Sequence, residues 1–189
     1  MKIFFDTEFT GLHKNTTLIS IGLVDENGRT FYAEFLDYDT NQVDDWIKEN
    51  VIDNLKYNKT CTENWCNKYH EHFECVGNTY YISTWLDIWL SEYDSVELVS
   101  DCCHYDMVLF ADIFGGAFDI PKQVNPACHD INQDIARYYE ISEKEAFDFS
   151  REELLRNNAI TIKGDKHNSL YDANVIKAIY DIIKSHGLL

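Results

Sequence analysis

Two carboxylates stand near the start of the chain, Asp6 and Glu8, within the string Asp6-Thr7-Glu8-Phe9-Thr10-Gly11-Leu12. Side chains at i and i+2 of a strand share a face, so the pair can converge on one point. Hard divalent cations such as Mg²⁺ and Mn²⁺ take oxygen ligands of this kind. In a chain with 33 Asp and Glu a lone D-x-E pair carries little weight, and its setting carries more. Far downstream, His167-Asn168-Ser169-Leu170-Tyr171-Asp172 places a histidine and an aspartate five positions apart, where a helical pattern begins. Between them an apolar run at 96–100 leads towards Asp101 and Asp106. Three separate segments thus bring acidic groups to the ends of elements. Carboxylates gathered in this way need cations. Cations held there can activate a water, and a histidine titrating near neutrality can take a proton from it.

The opening D-T-E-x-T-G-L, the Tyr105-Asp106 pair and the terminal H-x4-D resemble the DEDDh group of 3′-to-5′ exonucleases, which have a ribonuclease H-like fold. The resemblance covers nearly the whole chain outside 56–78. More narrowly, Asp6-Thr7-Glu8-Phe9, Leu18-Ile19-Ser20-Ile21-Gly22, Ser95-Val96-Glu97-Leu98, Tyr105-Asp106 and the 167–172 motif are similar to the small RNase AS-type exoribonucleases, which shorten adenylate-rich RNA from its 3′ end. The resemblance implies that Asp6, Glu8 and Asp172 hold one metal and that Asp6 bridges to a second. It implies that Asp106 is the third motif's carboxylate, with Asp101 the competing choice, and that His167 is the general base. It further implies two divalent cations, Mg²⁺ or Mn²⁺, and release of nucleoside monophosphates from single-stranded RNA.

Thr7, Phe9, Thr10 and Leu12 are implied contacts of the terminal nucleotide, with Phe9 or Leu12 packing on a base; the competing reading is that both close the core. A homodimer rests on the resemblance alone. An exodeoxyribonuclease acting on single-stranded DNA would keep every site residue, because contacts to the ribose 2′-OH decide between the two. A non-catalytic nucleic-acid-binding module is disfavoured, since all five expected catalytic side chains are present.

The elements that must hold these groups read as an α/β domain: a mixed sheet with a three-strand antiparallel start, flanked by helices. Apolar residues at 2–5 and 17–24, an Asn27-Gly28 turn and the alternating 29–35 predict the strands. Val43, Trp46, Ile47, Val51, Ile52 and Leu55 recur at helical spacing and predict a helix over 41–55, capped by Asn41. Residues 56–78 lack a period and read as an insertion or long loop. A helix over 80–93 presents Tyr81, Trp85, Ile88 and Trp89. A strand at 96–100 follows, then a helix at 105–114 stopped by Gly115-Gly116. Helices are predicted at 131–139, in one or two pieces at 142–156, and at 169–185 with a stripe of Leu170, Ala173, Ile176, Ile179, Tyr180 and Ile183. The whole of 1–189 reads as one exonuclease domain.

Charge and composition set limits. With 16 basic and 33 acidic residues the net charge is −17, which argues against a protein that coats nucleic acid non-specifically but not against one that binds a few nucleotides through cations. A 45% hydrophobic and 14% aromatic content excludes a disordered chain. No apolar run reaches the roughly 18 residues of a membrane span, and the first residues do not read as a signal peptide. A cytoplasmic protein with six reduced cysteines is therefore expected. Cys61, Cys66, His70, His72 and Cys75 offer thiols and imidazoles, yet their spacing fits no standard finger, so structural zinc is not favoured. Arg151, Arg156, Lys163 and Lys166 form the richest basic stretch, read as ordinary surface charge ahead of a role in steering phosphates. The acidic run from Asp37 to Asp53 should face away from the substrate, Trp46, Trp85 and Trp89 should be core, and the 114–128 loop and the segment before His167 are candidate rims.

Overall fold

The computed structural model describes residues 1–57 and 60–187. Among these, a seven-stranded sheet runs β4-β5-β3-β2-β1-β6-β7 across its width. Its centre is the expected antiparallel trio, β1 (Lys2–Phe9), β2 (Leu18–Asp25) and β3 (Thr30–Phe35). A strand buried on both faces needs apolar residues at consecutive positions, and β1 has them. Ile3 and Phe5 enter one core, while Phe4 enters the other. Strand β6 (Glu97–Ser100) pairs parallel to β1, with Phe4 opposite Val99. Strand β6 therefore ends beside Phe5, and the residue after it, Asp101, follows alongside Asp6.

Helices cover both faces. On one lie α2 (Thr79–Leu90) and α3 (Cys103–Ile113), burying Leu86, Trp89 and Phe110 against Phe5 and Phe31. On the other lie α4 (Ile131–Tyr139), α5 (Glu143–Phe147), α6 (Arg151–Asn157) and α7 (Ser169–Ser185). The long α7 buries Ala173, Ile176, Ile179, Tyr180 and Ile183, most of the expected stripe, and packs across β1 and β2. No described helix is long and apolar enough to cross a membrane.

Several expectations are corrected. Residues 56–78 are not an irregular loop: β4 (Trp65–Tyr69) and β5 (His72–Gly77) form a hairpin that extends the sheet beside β3. Strand β4 is the sheet's edge and largely exposed, so it shows no apolar alternation to read. Pairing sets Cys66 opposite Cys75, and their sulfurs are joined in a disulfide in place of the reduced thiols expected. The helix over 41–55 shrinks to α1 (Asp45–Asn50), whose cap is Asp44 rather than Asn41. On α2 the buried face is Ile82, Leu86, Trp89 and Leu90; Ile88 is exposed. A two-residue strand, β7 (His129–Asp130), carries no sequence signal.

Candidate active site

The ends of β1 and β6 place the acidic groups. Alternation along β1 turns Asp6 and Glu8 to the face of Phe4, the face that α7 covers. Thr7 turns the other way, and its hydroxyl donates to Asp106 Oδ1 at 2.5 Å. Asp106 lies in the first turn of α3 and is fully buried; its other oxygen accepts from the Ser100 hydroxyl at the end of β6. From the opposite layer, α7 begins at its cap Asn168 and presents Asp172 in its first turn. The backbone N–H of His167 donates to Asp172 Oδ2 at 2.8 Å. Gly22, opposite Asp6 on β2, lets the α7 backbone come this close to the sheet.

Two ligand groups result. Glu8, His167 and Asp172 each offer an atom within 4.8 Å of the other two, and so do Asp6, Asp101 and Asp106. Glu8 Oε1 lies 3.9 Å from His167 Nδ1. Burial, and then mutual repulsion, raises every carboxyl of the cluster. Glu8 is pushed up to about 8, Asp106 and Asp172 to about 7, and Asp6 well above its usual range. Burial, followed by the nearby Lys166 ammonium, lowers His167 and favours its neutral imidazole. Asp6 Oδ2 is buried without a hydrogen-bond partner. A convergent oxygen-rich set with one orphaned carboxylate oxygen fits a hard divalent cation, and charged carboxyls this close require one.

The cleft above these groups has a volume of about 500 Å³, and Arg151 and Lys166 are the Lys or Arg side chains at its walls. Both are engaged: Lys166 with Glu152, and Arg151 with Asp101, Asn132 and the carbonyls of Ala146 and Phe149. The rim is formed by 147–152, from the end of α5 to the start of α6, and by Lys166 in the expected segment before His167; the 114–128 loop contributes no lining residue.

The remaining expected site residues divide. Leu12 stands 74% exposed at an adjoining apolar recess of about 360 Å³, which shares Glu8 and Phe9 with the cleft. Phe9 stacks on Tyr105 with ring centres 5.3 Å apart. Thr10 is buried, and its hydroxyl is occupied by Thr16, Thr17 and Gln42. Thr7 lines the cleft but gives its hydroxyl to Asp106.

Trp46, expected in the core, is 54% exposed in the same recess, its ring edge-on to His167 at 5.1 Å. Asp44, expected to face away, lines that recess as well. Apolar spacing had no means of revealing Trp46, because α1 is too short to bury a full stripe. Among the proposed zinc residues, Cys66 and Cys75 are bonded to each other, and His72 Nδ1 pairs with Thr30 Oγ1.

A family model for the 3′-5′ exoribonuclease Rv2179c-like domain matches residues 1–183. Two curated sequences from Mycobacterium tuberculosis match in part: 3′-5′ exoribonuclease Rv2179c of strain H37Rv and 3′-5′ exoribonuclease MT2234.1 of strain CDC 1551. Each is 31% identical over 103 residues, or 52% of this chain and 59% of the relative. The match thus spans less than two thirds of those relatives' length. Among solved structures, a 3′-exonuclease recognising the histone mRNA stem-loop superposes with a TM-score of 0.67 at 14% identity, covering 99% of this chain and 82% of that one. The nuclease domain of 3′hExo, a DEDDh family member bound to rAMP, gives 0.65 at 14% identity, covering 99% and 92%. The Mg²⁺- and Mn²⁺-bound form of Pop2p from S. pombe gives 0.64 at 16% identity, covering 98% and 83%. At these identities the likeness is one of fold, the ribonuclease H-like mixed sheet flanked by helices.

Proposed function

The chain belongs to the Rv2179c-like 3′-5′ exoribonuclease domain family, and from that premise we propose that it is a metal-dependent 3′-to-5′ exoribonuclease that releases nucleoside monophosphates. The observation that carries this reading is the convergence of Asp6, Glu8, Asp106, Asp172 and His167 at one open cleft. Asp6, Glu8 and Asp172 would hold one divalent cation, Asp6 would also serve a second, and Asp106 would complete the acidic set. When bound, the cations offset the phosphoryl charge and stabilise the departing 3′-oxygen.

His167 performs the proton transfer. Burial and Lys166 lower its pKa and favour the neutral imidazole, which can accept the proton of the water that attacks phosphorus as the P–O3′ bond breaks. The left-handed backbone of His167 (φ 63°) and its N–H bond to Asp172 fix where the ring starts. The terminal base packs between Leu12 and Trp46, whose recess adjoins the acidic cleft. Among structures of similar fold, one concerns 3′-end recognition of the histone mRNA stem-loop by a 3′-exonuclease and another a nuclease domain bound to rAMP, which supports an RNA end as substrate.

The test is a time course on end-labelled adenylate and uridylate oligomers and on the equivalent DNA, with Mn²⁺ and with EDTA. A one-nucleotide ladder from the 3′ end, on RNA and abolished by EDTA, is expected. An equal ladder on DNA would reassign the substrate to single-stranded DNA. No cleavage of any oligomer would overturn the reading.

A further inference from the structure

Of the cleft's acidic residues that the motifs leave without a role, Asp101 is the one that groups with motif carboxylates. It follows β6 directly. The parallel pairing of Phe4 with Val99 brings it alongside Asp6, just past the end of β6. A ligand atom of Asp101 lies within 4.8 Å of ligand atoms of both Asp6 and Asp106. Its position is fixed from two sides. The Asp101 carbonyl accepts from Asn132 Nδ2 at 2.8 Å. Its Oδ2 faces Arg151 Nε at 3.5 Å, and Arg151 is itself anchored to two carbonyls and to Asn132.

The group has an unmet demand for positive charge. Asp6 Oδ2 is buried with no donor. Asp106 already accepts a hydroxyl at each oxygen, from Thr7 and from Ser100. That leaves it fewer free lone pairs with which to satisfy a cation alone. The other three candidates, Glu8, His167 and Asp172, form a separate group. The acidic residues thus divide into two sets, and Asp101 belongs to the set built on Asp6 and Asp106.

We propose that Asp101 is a direct ligand of the second divalent cation, which Asp6, Asp101 and Asp106 hold together as three carboxylates of this chain. The inference rests on the metal-dependent reading above. Its consequence is specific: both cations bind the free protein, before any RNA supplies phosphate oxygens.

Mn²⁺ titration of the full chain without RNA, by calorimetry and by loss of the free-ion EPR signal, tests it. Wild type should bind two ions. Asp101→Asn should bind one at wild-type affinity, with the other weakened at least tenfold. Two ions of unchanged affinity in Asp101→Asn would overturn the assignment while leaving the exonuclease reading intact. So would a single ion in wild type. No ion in wild type would overturn both. A wild-type crystal grown with Mn²⁺ supplies the variant-independent measurement: an anomalous peak coordinated by Asp101 supports the proposal, and a peak at Asp6 that excludes Asp101 ends it.

Discussion

A Cβ on Gly22 would lie 2.3 Å from the backbone nitrogen of Leu170. Gly22 faces Asp6 across the β1–β2 pair, and Leu170 sits in the turn of α7 that leads to Asp172. The missing side chain therefore sets the distance between the two halves of the acidic cluster. The neighbouring Ser20–Ser169 hydroxyl contact at 2.9 Å, fully buried, fixes the same approach.

Gly22→Ala should accordingly lift α7 from the sheet. The clash is with backbone, which cannot rotate away, so the cost belongs with overpacking, about 1–3 kcal/mol. For a chain of this size that lowers Tm by roughly 2–12 °C. Thermal unfolding with EDTA measures the fold term, and Mn²⁺ affinity measures the opening of the cluster. An unchanged Tm would show that α7 has room that the structure does not give it.

His167 separates chemistry from folding. Its φ of 63° is a left-handed conformation, which costs an ordinary residue about 1–2 kcal/mol and glycine little. His167→Gly should melt no lower than wild type, while kcat falls about 10²–10⁴-fold with loss of the proton acceptor. His167→Ala should lose the same activity without the backbone relief. Near-normal turnover in either variant would remove His167 from the proton transfer. In wild type the acid limb of kcat should fall below the ordinary histidine value of 6.5, because burial and Lys166 both lower this residue.

The acidic cluster makes metal-free stability depend on pH in an unusual direction. Glu8, Asp106 and Asp172 are raised to about 8, 7 and 7, and Asp6 is raised too. A group whose pKa is raised by folding contributes stability that is complete below its unfolded value and is lost as pH rises through its folded value. The loss should therefore run from about pH 4 to about pH 8. His167 opposes it, since a lowered histidine gains stability as pH rises, but it is one group against five, because Asp101 is raised as well. In EDTA, Tm should be higher at pH 5.5 than at pH 8. Mn²⁺ should reverse the order by binding the ionised cluster of the native state. A metal-free Tm that rises steadily from pH 5.5 to 8 would contradict the burial of these carboxylates.

What the sequence disclosed, and what it withheld, follows from the range of each interaction. Strands β1 to β3 and helix α7 carry local signals: buried apolar runs, an Asn27-Gly28 turn and a stripe repeated over four turns. Four of the five motif residues lie on β1 or at the start of α7, and Asp106 in the first turn of α3, so their placement on recognisable elements was legible too. Gly22 matters through a backbone contact 148 positions away, counting from 22 to 170, and no local pattern encodes that. The tertiary partners that take up the Thr7 and Thr10 hydroxyls could not be read from the string either. The β4–β5 hairpin was hidden because edge exposure removes the alternation by which strands are recognised.

Trp46 is the sharpest case of tertiary context overriding pattern, and it yields the last prediction. Helical spacing places it with Ile47 and Val51 in a buried stripe, yet α1 buries Ile47 and leaves the indole 54% exposed beside His167. An exposed indole facing an exposed Leu12 across an apolar recess loses little stability when truncated, because its surface is already largely wet. It should lose binding instead. Stacking of one base on an aromatic ring is worth about 1–3 kcal/mol, so Trp46→Ala should lower kcat/KM on RNA oligomers by roughly 5–150-fold. The loss should appear mainly in KM, with Tm shifted by less than about 2 °C and Mn²⁺ stoichiometry unchanged. Trp46→Phe should restore most of the affinity, since a π-face and not the indole N–H makes the contact. Wild-type KM in Trp46→Ala would mean that the terminal base lies elsewhere. A KM defect that Phe does not rescue would point to the indole's contact with His167 as its role.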